Sequence, residues 1–226
     1  MSQDHLWLAD RDDQQSHPLS ERFRGYLPVV IDVETGGFNA ATDALLEIAA
    51  TPIDINDAGL LIPGETLDLA VLPFEGANIE QSALDFTGID PFASHRGAIA
   101  EDEALREVFS VVRRAVKNAG CKRAIMVGHN AFFDHGFVFA AASRHDIKRN
   151  PFHPFSTFDT VTLAGMAFGQ TVLAKACHIA GIEFSNKRAH AAAYDCSKTA
   201  ELFCRVVNQW HDAMGWPARH GDDNDD

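Results

Sequence analysis

Apolar positions along the chain repeat in two ways, and the change from one to the other predicts the order of its elements. Alternating or continuous apolar runs at Pro28–Val33, Leu45–Ile55 and Glu65–Leu72 predict three β-strands. A short helix is expected within NIEQSALDFTGI. The stretch EDEALREVFSVVRRAVKNAG spaces Leu105, Val108, Phe109, Val112, Ala115 and Val116 three and four residues apart, the stripe of an amphipathic helix. Acids at its start and basic residues near its end suit the helix dipole, and Gly120 follows as a C-terminal cap. RAIMVGHN reads as a short buried strand, AFFDHGFVFAAASRH as a helix, and PFHPFSTFDT as a loop entering another short strand. From Val161 to about Trp210 the pattern is helical. Three strands followed by alternating strands and helices predict an α/β domain, a mixed sheet covered by helices.

Composition adds bounds. The 226 residues, 46% hydrophobic and 23% charged, suffice for one domain with a full core. Residues 1–20 read as a disordered polar lead-in, 21–216 as the domain and 217–226 as an acidic tail. No apolar run reaches the roughly 18 residues a membrane span needs. MSQDHLWLADRDDQQSHPLS lacks the basic start and apolar core of a secretory signal. Cys121, Cys177, Cys196 and Cys204 show no CxxC spacing and lie among apolar or helical neighbours, which fits reduced thiols and a cytoplasmic location. The formal charge of −13 argues against a nucleic-acid partner until its distribution is read. Asp4, Asp10, Asp12 and Asp13 against Arg11 lie in the first tail, and Asp222, Asp223, Asp225 and Asp226 against Arg219 in the last. The body keeps about half of that excess, part of it in the acids discussed next, so net charge excludes nothing.

Within PVVIDVET, side chains alternate faces, so Val30, Asp32 and Glu34 project together near the end of a central strand. Two neighbouring carboxylates repel there, and either the strand end points both into solvent or a hard divalent cation with oxygen ligands, Mg²⁺ or Mn²⁺, compensates them. GHNAFFD places Asp134 in the first turn of a helix, and HAAAYD places Asp195 at the start of the last one. Five residues turn an ideal helix by about 140° beyond one full turn. His190 can therefore share a site with Asp195 only from the loop ahead of the helix. A histidine there suits a general base, because imidazole exchanges protons near neutral pH. Asp159 in STFDT is a further acid, read as the N-cap of TVTLAGMAF or as an outer neighbour of the ligands.

With DVET, HNAFFD and HAAAYD in this order, the chain resembles the DEDD exonucleases, in the branch with histidine in the third motif. The resemblance implies a ribonuclease-H-like fold, a mixed five-stranded sheet flanked by helices. It also implies removal of nucleotides from 3′ ends by two-metal hydrolysis, with nucleoside 5′-monophosphates as products. Asp32 would bridge two Mg²⁺ (or Mn²⁺) ions, Glu34, Asp134 and Asp195 would complete the ligands, and His190 beside them would take the proton from the attacking water.

FRGYLPVVIDVETGGFNAATDALLEIAA, GCKRAIMVGHNAFFDH, KRNPFHPFSTFDT and FGQTVLAKAC extend the likeness from about Phe23 to Trp216, to the ribonuclease T family within that group. This second resemblance implies trimming of tRNA and other RNA 3′ ends, and action on single-stranded DNA. The chain has 16 Phe against 2 Tyr. Any one of them can be core, or can stack on an exposed base for about 1–3 kcal/mol. The resemblance assigns Phe38, Phe86, Phe133 and Phe155 to stacking. It implies a homodimer in which Arg22, Arg24, Lys117, Arg123 and Lys148 grip the substrate backbone beside the partner's site. Where the family has a glutamate, this chain has Ser82, so discrimination of the terminal base is open. A proofreading-type DNA exonuclease or an oligoribonuclease of the same superfamily shares the acids and is the alternative activity. A silent nucleic-acid-binding module would be expected to lack one of the five residues, and all five are present.

Overall fold

The computed structural model describes residues 17–215. In chain order these form β1 (Tyr26–Thr35), β2 (Leu45–Ile55), β3 (Leu61–Pro63), β4 (Leu67–Ala70), α1 (Gln81–Thr87), α2 (Glu101–Asn118), β5 (Arg123–Gly128), α3 (Ala131–Arg144), β6 (Phe152–Asp159), α4 (Thr160–Phe168), α5 (Leu173–Ile179) and α6 (Ala192–Met214). Most of the residues read as tails, 1–16 and 217–226, lie outside the described part. Leu19, however, belongs to a short 3₁₀ turn and is 1% exposed in the main core, so the folded body takes in residues before 21.

The sheet runs β3-β2-β1-β5-β6, with β4 also on β2. β1 is central, antiparallel to β2 and parallel to β5, and β6 continues parallel to β5. Val29, Val30 and Ile31 are all fully buried, so helices cover both faces of β1. The count is six strands where five were expected, because β3 lies ahead of the run read from Glu65, which holds only β4. β3 pairs Ile53 with Pro63, β4 pairs Ala50 with Leu67, and the register slips by one residue between them. Gly64 sits at the slip, donating its N–H to Pro52 O at 2.8 Å. The extra residue lies between β3 and β4, a bulge in the edge that pairs with β2.

The region read as helical from Val161 is three helices and a loop. Gly169 and Gly181, at φ +65° and +72°, end α4 and close the turn after α5. Residues 183–191 then form a loop before α6. Thr51 is paired with Val30, and its hydroxyl meets Cys196 Sγ at 3.2 Å. Cross-strand partners share a face, so α6 lies on the face that carries Asp32, Glu34 and Glu47. No helix among the described residues is long and apolar enough to cross a membrane.

Where α2 begins and α3 ends, a buried ion cluster pins the loop after β1. Glu101, 3% exposed, accepts from Arg144 Nε at 3.0 Å and meets His145 Nε2 at 2.8 Å. Arg144 also lies 3.7 Å over the Phe74 ring and donates to Ala41 O at 3.4 Å. Glu101→Ala leaves the guanidinium half-buried without its carboxylate, which costs about 3 kcal/mol. Urea denaturation should show that loss, and a change below about 1 kcal/mol would mean that the cluster is dispensable.

Candidate active site

Asp32 and Glu34 leave β1 on one face, as the alternation requires. Asp32 is half-buried opposite Ala49, and Glu34, 9% exposed, stands opposite Glu47. The chain then turns through Gly36 and Gly37. A Cβ on Gly37 would collide with the carboxylate of Asp43, so the turn needs glycine there. Burial pushes the Asp43 carboxyl up, but hydrogen bonds from Asn39 N–H, the Asn78 amide and the Thr42 hydroxyl hold it below the ordinary range. This hub shapes the loop that presents Phe38.

Asp134 arrives from the other side of β1. β5 ends at Gly128, whose missing Cβ would stand 3.0 Å from Asp134 Oδ2. Asn130 takes φ +70°, and α3 begins with no cap from its own side chain. Asp134 is 5% exposed and accepts the Val33 N–H at 3.0 Å, which fixes it against the strand carrying Asp32.

Asp159 supplies the missing cap. Its oxygens accept from Asn130 N at 3.2 Å, Ala131 N at 3.2 Å and Val161 N at 2.9 Å, so it serves the N-termini of α3 and α4 together. His129, held between Thr160 Oγ1 and Thr171 O at 3.0 Å each, ties the α4–α5 connection to the same corner.

His190 lies in the loop ahead of α6, with φ +66°. Its N–H donates to Asp195 Oδ2 at 2.9 Å. Ligand atoms of Glu34, His190 and Asp195 lie within 4.8 Å of one another. Asp195 Oδ1 is buried with no hydrogen-bond partner. The exposed His190 ring packs on Phe86, centroids 4.2 Å apart.

The acids act strongly on one another. Burial, and then the charges of Asp134, Glu34, Asp195 and Glu47, hold Asp32 well above the carboxylate range. Burial with Asp195 and Glu47 lifts Glu34 to about 8. Burial raises Asp134 as well, against the Val33 hydrogen bond, and Asp195, against the His190 N–H. Between pH 4.5 and about 8 the metal-free fold keeps a proton on Glu34 that the unfolded chain has lost. Stability from that proton is complete at the acid end and disappears as pH rises through about 8. The melting temperature of metal-free protein should therefore fall from pH 5 to 9, at up to about 1.4 kcal/mol per unit for each proton held. Millimolar Mg²⁺ should flatten the decline, and a rising profile without metal would contradict the electrostatics.

The four phenylalanines occupy different settings. Phe38 is 84% exposed and meets Phe133 edge-on at 6.2 Å, while Phe133 also packs on Phe137. Phe86, 65% exposed, flanks His190. Phe155, 88% exposed, projects where β6 breaks register with β5, beside His153. Ser82 is exposed on α1, its hydroxyl 3.5 Å from the Glu80 carboxylate.

The basic residues gather elsewhere. Arg24 lies over the Tyr26 ring, and Tyr26 pairs with Arg123 at the start of β1 and β5. Eight strand residues from there to Glu34 span about 26 Å, so they stand at the opposite end of the sheet from the acids. Lys117, at the end of α2, is exposed. Arg22 is turned onto Gly59 O at 3.2 Å, and exposed Lys148 pairs with Asp146 at 3.6 Å.

Pattern reasoning passed over Glu47. It lies directly across the sheet from Glu34, and only strand register reveals this. Asp43 was equally hidden, as a loop acid without a motif.

Comparison with known proteins extends the picture. The exonuclease family model RNase_T matches residues 29–203. Ribonuclease T of Marinobacter nauticus is 64% identical over 206 residues, 91% of this chain and 93% of that protein. Ribonuclease T of Vibrio cholerae is 58% identical over 218 residues, 96% of each. Among solved structures, Escherichia coli exonuclease I in complex with a dT13 oligonucleotide has a TM-score of 0.62 at 20% identity, over 84% of this chain and 42% of that one. The nuclease domain of 3′hExo, described as a DEDDh family member bound to rAMP, has a TM-score of 0.62 at 17% identity, over 86% and 96%. These two share the ribonuclease-H-like fold.

Proposed function

The chain belongs to the ribonuclease T family of exonucleases, and from that premise we propose that it trims the 3′ ends of tRNA and other structured RNAs. On the same reading it shortens single-stranded DNA from the 3′ end, and each cut releases a nucleoside 5′-monophosphate. The observation that carries the proposal is the convergence of Asp32, Glu34, Asp134 and Asp195, each held toward protonation by burial and by its neighbours, with His190 at the rim.

Four carboxylates raised in this way, one with a buried oxygen lacking any partner, fit hard divalent cations, and Mg²⁺ or Mn²⁺ suits an all-oxygen donor set. Asp32, Glu34, Asp134 and Asp195 would hold two such ions, with His190 beside them, and the ions supply charge neutralisation at the scissile phosphate. His190 accepts the proton of the attacking water, and its N–H bond to Asp195 keeps the loop aimed at the site. Phe38 and Phe86, exposed beside the acids, stack on the bases nearest the cleaved bond with little sequence preference. Phe133 backs Phe38.

The same reading makes the enzyme a homodimer. In it Arg24 and Arg123, about 26 Å from the acids of their own chain, would hold the backbone of an RNA lying in the partner's site. Four free thiols, three of them buried, accord with a cytoplasmic setting.

The decisive experiment offers a 3′-extended tRNA, a dinucleotide and a mismatched DNA primer with Mg²⁺ or Mn²⁺ and identifies the products. Fastest trimming of the tRNA, one 5′-monophosphate at a time, is the expected outcome. Preference for the dinucleotide would instead assign an oligoribonuclease, and preference for the primer a proofreading enzyme. Arg24→Ala with Arg123→Ala should weaken RNA binding about tenfold and lower the salt slope by about 2, leaving hydrolysis of a small thymidine phosphodiester intact. Equal losses on both substrates would mean that these arginines support folding.

A further inference from the structure

α6 carries Asp195, yet it starts without a cap of its own. Its N-cap residue is Ala191, whose side chain offers no hydrogen bond to the N–H groups of the first turn. The acceptor comes from the sheet, where Glu47 Oε2 lies 3.4 Å from Ala192 N. That is long for a hydrogen bond, but a carboxylate there also faces the positive end of the helix dipole. Glu47 is itself tethered. Its Oε1 is 3.8 Å from Arg96, whose side chain is only 8% exposed and donates to Leu46 O at 2.6 Å and Pro91 O at 3.1 Å. The segment bearing Arg96 follows α1, which presents Phe86 to His190.

Glu47 occupies this place at a penalty. It stands opposite Glu34 and adds repulsion to both Glu34 and Asp32. A neutral side chain would relieve that repulsion, so the charge needs another reason to be there.

We propose that Glu47 is a positioning residue: it holds the first turn of α6 through Ala192, keeping Asp195 and His190 aimed at Glu34, with Arg96 locking it in that pose. It does for α6 what Asp159 does for α3. The inference rests on the exonuclease reading only for its effect on catalysis. Its structural core can be measured without activity.

The test compares Glu47→Ala, Glu47→Gln and Arg96→Met with the wild type by amide hydrogen exchange, Mn²⁺ titration and RNA turnover. In Glu47→Ala, the amides of Tyr194, Asp195 and Cys196 should exchange at least about tenfold faster, while those of Thr199 to Val206 keep their protection. Its kcat should fall about 10- to 100-fold with KM for RNA changed less than about threefold, and Mn²⁺ should bind more weakly. Glu47→Gln keeps an acceptor for Ala192 and should restore protection and at least about a third of kcat. Wild-type exchange in Glu47→Ala overturns the proposal whatever its turnover, and so does a Glu47→Gln variant as impaired as the alanine. Should Glu47→Ala not fold, Arg96→Met replaces it, with faster exchange at Asp195 expected and wild-type exchange counting against the proposal. A wild type that leaves RNA intact while the exchange pattern follows expectation would sink the nuclease reading and leave this one standing.

Discussion

Asp32→Asn lowers kcat on a 3′-extended RNA by at least about 10³-fold and, without metal, makes the protein more stable. The first effect follows from the place of Asp32 among the acids. Its carboxylate is half-buried and under the charge of Asp134, Glu34, Asp195 and Glu47, so on the proposed reading a cation held among these acids draws on it. Divalent ions supply several kcal/mol of charge stabilisation in phosphodiester cleavage, and each 1.4 kcal/mol lost is tenfold in rate. The second effect has the opposite sign for the same reason. Asparagine has nearly the same shape and no charge, so it removes repulsion that the metal-free fold has to bear, by roughly 1–2 kcal/mol. A melting curve in chelator above pH 8 displays the gain, and a product ladder displays the loss. A variant that turns over RNA at the wild-type rate would remove Asp32 from the chemistry. A variant less stable than the wild type in chelator would show that the cluster is not repulsive.

His190→Ala lowers kcat about 10²- to 10⁴-fold, the range of a positioned acid or base, and leaves RNA and Mn²⁺ binding within a few-fold of the wild type. The residue stands in a left-handed conformation that side chains adopt at a cost, and it packs on Phe86 rather than in the core. Its ring is exposed, so removing it leaves no cavity. Single-turnover rates at saturating RNA isolate the proton-transfer step from binding. Unchanged rates would exclude histidine from it, and weakened RNA binding with an unchanged rate would make the ring a stacking surface instead.

Which parts of this arrangement were legible in the sequence follows from the range of the forces that set them. The D-x-E pair was legible because strand alternation is local, and one residue between two acids puts them on one face. His190 could be placed in a loop by helix geometry alone, and that is where it lies. Asp159 was readable as the cap of α4, but its second duty at α3 was not, because α3 precedes it by 28 residues and meets it only through the sheet. Glu47 carries no motif, and its role depends on a register fixed by β2 lying against β1. β3 was likewise hidden. Residues 61–63, ahead of Gly64, were left out of the strand read from Glu65, and only their pairing with β2 reveals them. The helical segment after Val161 was overextended because its glycines, at 169 and 181, act through backbone conformation rather than polarity.

The acids meet from three stretches of chain: Asp32 and Glu34 on β1, Asp134 on α3, and Asp195 on α6, the last of the described elements. During translation the first two emerge early, and the fourth is more than 150 residues behind them. A ribosome still building this polypeptide therefore displays an incomplete cage with no histidine at its rim. On the reading proposed above, a nascent chain is expected to show no nuclease activity until α6 packs on the sheet.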